Sequence, residues 1–327
     1  MTPRGRPADL PPADQRDPLG MLGESRDVRL LITTLRRRGN DQFHRGETAA
    51  AAALYEQSLS IAWAVGYVAG IAHALNCKAS VAHRRGNLEE AEQFYNDAAV
   101  LAEQAQERRL IGMVQQNLGI LAAIRGDWDA SLASYRLSLA AFDAEPDVVA
   151  ASWVLNNMGK LHGDRGETAL AEQCFARAIG IARERGDLLV ESVVEQNRAE
   201  LLLMQRRLDE ASAACTRAFA LAHERGDRLR VAETLKLRAK LERERGEYDI
   251  ALATLEEARR ATNPTEDALL AAELLCEIGE VWRRRGERVK AGTMWTEALA
   301  AFERVGARPA ATEAGAKLRS VSASGLK

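Results

Sequence analysis

Aromatic residues make up only 5% of this 327-residue chain. β-Branched residues are thin beside Ala, Leu, Glu and Arg, which are helix formers, so an all-β fold is excluded. No excess of charge exists either: 45 basic residues face 47 acidic ones, a net −2. Nucleic-acid binding rests on phosphate neutralisation by a basic surface, and that partner class is excluded. The longest run without Asp, Glu, Lys or Arg, residues 57–77, is interrupted by Gln57, Ser58, Ser60, Gly66, Gly70, His73 and Asn76. It is not the predominantly apolar stretch of a membrane-spanning helix, so no membrane partner is expected. No apolar segment of a secretory signal is seen, and a cytoplasmic location is expected. The four cysteines, Cys77, Cys174, Cys215 and Cys276, form no CxxC pair, so they are read as buried free thiols and not as zinc ligands or disulfides. The five histidines include no i,i+4 pair and no HExxH, and P-loop, GxSxG and GxGxxG motifs are missing. No metal, cofactor or catalytic residue is therefore expected, and the chain reads as a non-enzyme. The composition is otherwise globular, 46% hydrophobic and 28% charged.

What is present is a repeat. Arg-Gly followed by an acid or Asn recurs at Arg45, Arg85, Arg125, Arg165, Arg245 and Arg285. Each step is 40 residues except one of 80, whose missing marker falls at Arg206. Five residues after the marker glycine stands a small residue (Ala51, Ala91, Ser131, Ala171, Ala211, Ala251, Ala291). Nine after stands mostly a ring (Tyr55, Tyr95, Tyr135, Phe175, Cys215, Leu255, Trp295), and twelve after a small residue again, Ser58 to Ala298. Seven before, the last six copies have Gly or Ala, from Ala79 to Gly279. Small residues at helical spacing let two helices approach closely, and the ring fills the groove beside them.

A second mark lies halfway between markers, at Gly66, Gln106, Pro146, Gly186, Gly226, Glu266 and Gly306, often followed by Asp. Gly suits a left-handed helix end and Asp the next N-cap, so each unit is two helices joined by short loops. All eight prolines lie in residues 1–18 or at or near unit junctions (Pro146, Pro264, Pro309) and avoid helix interiors. The predicted organisation is a disordered leader over 1–26 and seven units over 27–66, 67–106, 107–146, 147–186, 187–226, 227–266 and 267–306. A capping helix over 307–319 and a polar tail over 320–327 complete it. Stacked hairpins bury their faces only against each other, so the array is read as one quasi-linear domain.

Gly or Ala, the marker glycine, Ala, the ring and Ala at these offsets resemble the tetratricopeptide repeat (TPR). The 40-residue unit is similar to the long repeats of Partner-of-Inscuteable-type scaffolds and kinesin light chain. The resemblance implies an all-α, right-handed superhelical solenoid whose concave face is lined by the first helix of each unit. It leaves function open, because the fold hosts many binding roles.

Mapped onto that geometry, the residues ten and nine before each marker glycine face the groove. Copies two to five read Asn76-Cys77, Gln116-Asn117, Asn156-Asn157 and Gln196-Asn197, seven carboxamides in eight places. Asn is unfavourable inside a helix. A carboxamide presents donors and an acceptor that match an extended peptide main chain. Two readings stay open: a ladder that grips a peptide, or ties between neighbouring helices. Charge flanks the ladder, with Arg36, Arg37, Asn40, His73 and Arg84 early in the chain, and Glu200, Glu233, Glu273, Glu277 and Glu280 late. Lys236, Lys240, Arg243 and Arg283 dilute the acidic side. An acidic peptide segment is expected toward the early units. Trp153, a candidate anchor, and Lys160 complete the expected groove. Arg36 and Asn40 also match two gripping positions of chaperone-type repeats that hold a C-terminal carboxylate, but Cys77, Met113 and Asn117 depart from that pattern, and the clamp is incomplete.

The three RGD tripeptides are read as helix-end loops. Arginine before the marker is read as complementing the helix dipole. The leading expectation is a non-catalytic scaffold that binds an extended peptide or disordered segment of a protein partner. The alternatives are a peptide- or ligand-sensing regulatory module acting through a separate effector, and a self-assembling adaptor that forms a homo-oligomer.

Overall fold

The computed structural model describes residues 26–44, 47–144, 148–262 and 267–322. The leader other than Arg26, the junction prolines Pro146 and Pro264, and residues 323–327 lie outside them. The described residues hold fifteen α-helices and no strand. They are α1 (Arg26–His44), α2 (Thr48–Ala64), α3 (Val68–Arg84), α4 (Leu88–Gln104), α5 (Arg108–Ile124), α6 (Trp128–Ala144), α7 (Val148–Asp164), α8 (Thr168–Arg185), α9 (Leu188–Met204), α10 (Leu208–Glu224), α11 (Arg228–Glu244), α12 (Tyr248–Ala261), α13 (Ala268–Arg284), α14 (Arg288–Arg304) and α15 (Arg308–Ser322). The chain is an all-α helical solenoid with two compact units, residues 1–161 and 162–327.

Within a hairpin, the sequence pattern becomes a packing rule. The small residues five and twelve after the marker are fully buried, Ala91 and Ala98 in α4 among them. Where these residues are serines, they bond across the pair: Ser131 Oγ donates to Gly119 O at 2.8 Å and Ser138 Oγ to Gly112 O at 2.7 Å. The ring nine after the marker lies on the small residue seven before it. A Cβ added at Gly119 would stand 2.5 Å from the Tyr135 ring, and one at Gly279 would stand 2.6 Å from Trp295. Gly39 makes the same contact with Tyr55 at 2.4 Å, so the first copy keeps a feature that the periodic reading assigned only to the other six. Where the ring is replaced by Cys215 or Leu255, the facing residue is Ala199 or Ala239.

Helix ends follow the punctuation. Gly186 takes φ 64° at the end of α8, and Asp187 Oδ1 accepts from Val190 N at 3.0 Å to cap α9. Two non-glycine residues hold the same left-handed conformation, Gln106 at φ 56° and Arg206 at φ 62°. At Arg206 the closing bonds are kept, Arg206 N to Leu203 O and Arg207 N to Leu202 O, both 3.0 Å. The missing marker is thus a change of residue and not of backbone. The arginines before the marker do more than complement a dipole. Arg125 pairs with Glu92 at 2.6 Å, Arg245 with Asp209 at 2.7 Å, and Arg285 with Asp249, each reaching back to the preceding hairpin's second helix. These partners are largely exposed, so each pair contributes at most about 1 kcal/mol.

Between hairpins, first helices touch one another, α1 with α3 and α3 with α5 in the first unit, α9 with α11 and α11 with α13 in the second. First helices also pack on the second helix of the preceding hairpin, as α5 does on α4 in the first unit and α11 on α10 in the second. The core of the first unit runs through Ile32, Leu59, Ile71, Leu75, Tyr95, Leu101, Leu110 and Val114. That of the second unit includes Leu235, Leu255, Leu274 and Val281. Helix α15 takes the place of a further first helix and buries Ala314 against Ala298 and Phe302 of α14. It runs to Ser322, past the sequence boundary at 319, because Leu318 and Val321 pack over Gly292, each 3.8 Å from where its Cβ would stand. Pro309 sits in its first turn, where no intrahelical N–H is needed.

Candidate functional site

The carboxamide positions divide by what they already bond. Asn76, on α3, is buried at 4% exposure, and its Oδ1 accepts from Asn117 Nδ2 of α5 at 3.1 Å. That pair is a tie between first helices. Gln116, on α5, and Asn157, on α7, are half-buried, and neither side chain has a hydrogen-bond partner among the described residues. Asn156 is buried at 4% exposure and, like Asn197, has partners of its own. In the second unit Gln196 is half-buried, and its Oε1 is shielded from solvent with no donor among the described residues. Asn40 Oδ1 is occupied, accepting from Tyr55 Oη at 2.8 Å and from the Cys77 thiol at 3.7 Å. Trp153 is half-buried, and Arg37, Lys160 and Glu200 are exposed.

The cationic groups of the first unit cluster around His73. Burial first, and then the charges of Arg36 of α1 and Arg109 of α5, together lower the His73 pKa to about 4. His73 is therefore neutral at pH 7. Arg36 has no ion-pair partner among the described residues. Arg109 was not anticipated from the sequence. It lies seven residues before Gln116 and so on the same side of α5, and that spacing was the available signal. Arg84, counted with this group from sequence, is already engaged: its guanidinium lies 3.4 Å from the Phe43 ring centroid and donates to Phe43 O.

Four of the five acids expected to oppose this cluster, all but the exposed Glu200, are neutralised in place. Glu233 pairs with Arg230, Glu273 with Lys236, Glu277 with Lys240 and Arg243, and Glu280 with Arg283 and Arg284. Two further carboxylates escaped the sequence reading. Glu191 and Glu195 of α9 are each 3% exposed. Arg183 bonds both, at 2.7 Å and 3.0 Å, while Arg217 holds Glu191 and Arg198 holds Glu195. Burial raises the Glu195 pKa and these arginines oppose the rise. Their signal was present: they stand where α3 has Ile71 and Leu75.

Among the described residues, no group of His, Cys, Asp or Glu is arranged to hold a metal ion, and no helix is long and apolar enough to cross a membrane. Described cysteines form no disulfide. Cys77 and Cys215 are buried, and burial pushes both thiols up to about 12, while Cys174 and Cys276 are only half-buried.

No curated protein sequence matches the chain. Several solved structures share its fold. A tetratricopeptide repeat protein from Parabacteroides merdae is 17% identical, with a TM-score of 0.57 over 87% of this chain and 99% of that one. Aspartyl phosphate phosphatase F from Bacillus subtilis is 12% identical, with a TM-score of 0.63 over 84% of this chain and 71% of that one. A Rap protein complexed with competence and sporulation factor is 10% identical, with a TM-score of 0.54 over 90% of this chain and 98% of that one. At these identities the likeness is one of fold alone. The sequence itself carries the family: the tetratricopeptide repeat matches residues 70–144, 110–184 and 191–263, more than half of the chain. Repeat markers, ring-on-glycine packing and this match agree, and the chain belongs to the tetratricopeptide repeat family.

Proposed function

We propose that the chain is a non-catalytic scaffold that grips an extended, acidic peptide segment of a protein partner on the first helices of its first unit. Repeat solenoids of this family present extended surfaces suited to protein partners. The observation that carries the finer reading is the division of the carboxamides. Asn76 and Asn117 are occupied with each other, whereas Gln116 and Asn157 hold half-buried donors and acceptors with nothing to bond among the described residues. Such groups match a peptide main chain without reading its side chains. Arg36 and Arg109, around the neutral His73, supply the charge preference, and Trp153 a ring on which a side chain can rest. The Rap protein solved with competence and sporulation factor supports the general point that this fold accommodates a second molecule.

The test is selection of a random peptide library displayed on phage against the full chain, with Gln116→Ala/Asn157→Ala and Arg36→Glu variants alongside. Selected peptides should be rich in Asp and Glu. They should lose affinity by about tenfold or more with the double variant, because each main-chain group left unbonded costs about 1–3 kcal/mol. Peptides that carry no acidic bias, or that bind both variants as well as the parent, would remove the reading.

A further inference from the structure

The end of the first unit formed by α1 is built like an interior repeat contact but has no covering helix among the described residues. In α3, α5, α7, α9, α11, α13 and α15 the residue in the place of Thr34 is Ala74, Val114, Val154, Val194, Thr234, Leu274 and Ala314, and every one is 0% exposed. The preceding second helix covers that stripe. Leu110 and Val114 share a core with Ala98 and Leu101 of α4, and the Cys215 thiol of α10 donates to Thr234 O at 3.4 Å. On α1 the same stripe is open. Thr34 is exposed, Leu30 is 60% exposed and Leu31 48%, although the counterparts of Leu30 include the buried Leu110, Val190 and Leu270. Beside it, α2 carries one charged residue, Glu56, in 17. The opposite end differs: α15 covers α14 and turns Thr312, Glu313, Arg319 and Ser320 to solvent.

We infer that this face joins two copies of the chain, α1 against α1 in antiparallel. Asp27, Leu30, Leu31, Thr34 and Arg38 are all exposed and follow the three-and-four spacing of one helical stripe. The stripe has an acid at one end, leucines toward the middle and a base at the other end. A two-fold axis between Leu31 and Thr34 therefore sets Leu31 of each copy against Thr34 of the other, brings the two Leu31 side chains together beside the axis, and sets Asp27 of each copy against Arg38 of the other. The face is its own complement, which is what a two-fold interface requires. The polar outer face of α15 offers no matching surface, so the assembly closes at two copies and does not extend head to tail. This inference is independent of the peptide-binding reading.

Sedimentation equilibrium on the full chain tests it. The mass should rise from that of one chain to that of two between about 1 and 100 μM, the affinity expected of a small interface. Leu30→Glu/Leu31→Glu should abolish the dimer while leaving the helical circular dichroism intact, since both side chains are already exposed. Asp27→Arg alone and Arg38→Asp alone should each weaken association about tenfold, and the two together should restore it to within about threefold of the parent. A single-chain mass at every concentration would overturn the inference. So would a dimer that survives the leucine changes, or charge reversals whose effects simply add.

Discussion

Replacing Asn117 by Ala removes the donor from a bond whose acceptor is buried. Asn76 is 4% exposed, and its Oδ1 takes the Asn117 amide at 3.1 Å. Left without a donor in that setting, the acceptor costs about 1–3 kcal/mol. Ala returns about 0.7 kcal/mol as the better helix former, so the net loss is about 0.5–2 kcal/mol. The reverse change is cheaper. Asn76→Ala leaves the half-exposed Asn117 amide free to bond water, and the helix-propensity gain offsets most of the lost bond. The double variant should be no less stable than Asn117→Ala alone, with a coupling of about 1 kcal/mol, as for other directly bonded pairs. Urea denaturation followed by circular dichroism measures this as shifts in midpoint at constant slope. Amide exchange in α3 and α5 localises it, a precaution because solenoids need not unfold in one step. Gln116→Ala and Asn157→Ala serve as internal controls: with no bond to lose, both should leave the midpoint unchanged or slightly raised. A coupling below about 0.3 kcal/mol, within the scatter of independent sites, would refute the tie. A large loss from Gln116→Ala would refute the division of the ladder into occupied and unoccupied members.

Other outcomes follow from the same geometry. Gly119→Ala should lower the melting temperature, because its Cβ would stand 2.5 Å from the buried Tyr135 ring; overpacking of about 1–3 kcal/mol outweighs the roughly 1 kcal/mol of helix propensity, and adding Tyr135→Leu should recover the loss by recreating the Ala239–Leu255 pairing. Gln106→Gly should raise the melting temperature, by relieving about 1 kcal/mol at an exposed residue held at φ 56°, and Gln106→Ala should not. His73, with a folded pKa of about 4 against the ordinary 6.5, binds its proton more weakly in the folded chain than in the unfolded one. Stability should therefore be full above about pH 6.5 and fall by up to about 3 kcal/mol as pH drops toward 4, and a His73→Gln variant should show a flatter denaturation profile over that window.

The architecture was legible because it repeats. A glycine that must adopt a left-handed turn and a small residue that must receive a ring each recur every 40 residues, and such requirements survive in any single copy. Even the copy without its glycine was placed by its neighbours, and Arg206 holds φ 62° there. Ties between neighbouring helices were one of the two open readings of the carboxamides, but that Asn76 and Asn117 form one was not legible, for a geometric reason. Its partners are 41 residues apart, one more than the period, so they occupy different columns when the copies are aligned. Periodicity fixes the angle of a side chain around its helix. It does not fix how closely the next helix approaches, and that distance decides whether an Asn bonds its neighbour or faces the groove. Glu191 and Glu195 illustrate the converse, since acids in apolar columns signal buried ion pairs that a search for groove residues passes over.

Charge was the least legible property, because a sequence counts charges and a fold pairs them. The acids at 233, 273, 277 and 280 all have cationic partners within 4 Å. Most of those bases stand one helical turn or one repeat away, the spacings at which α-helices and stacked hairpins bring side chains together. Their fields largely cancel beyond a Debye length. Around His73, by contrast, the charges of Arg36 and Arg109 meet a third basic side chain, which burial keeps neutral. A polarity expected from two opposed ends thus reduces to one cationic patch in the first unit. An acidic ligand seated there would raise the His73 pKa and take up a proton on binding. Its affinity should then strengthen as pH falls from 7 toward 5, in the direction opposite to the stability of the empty chain.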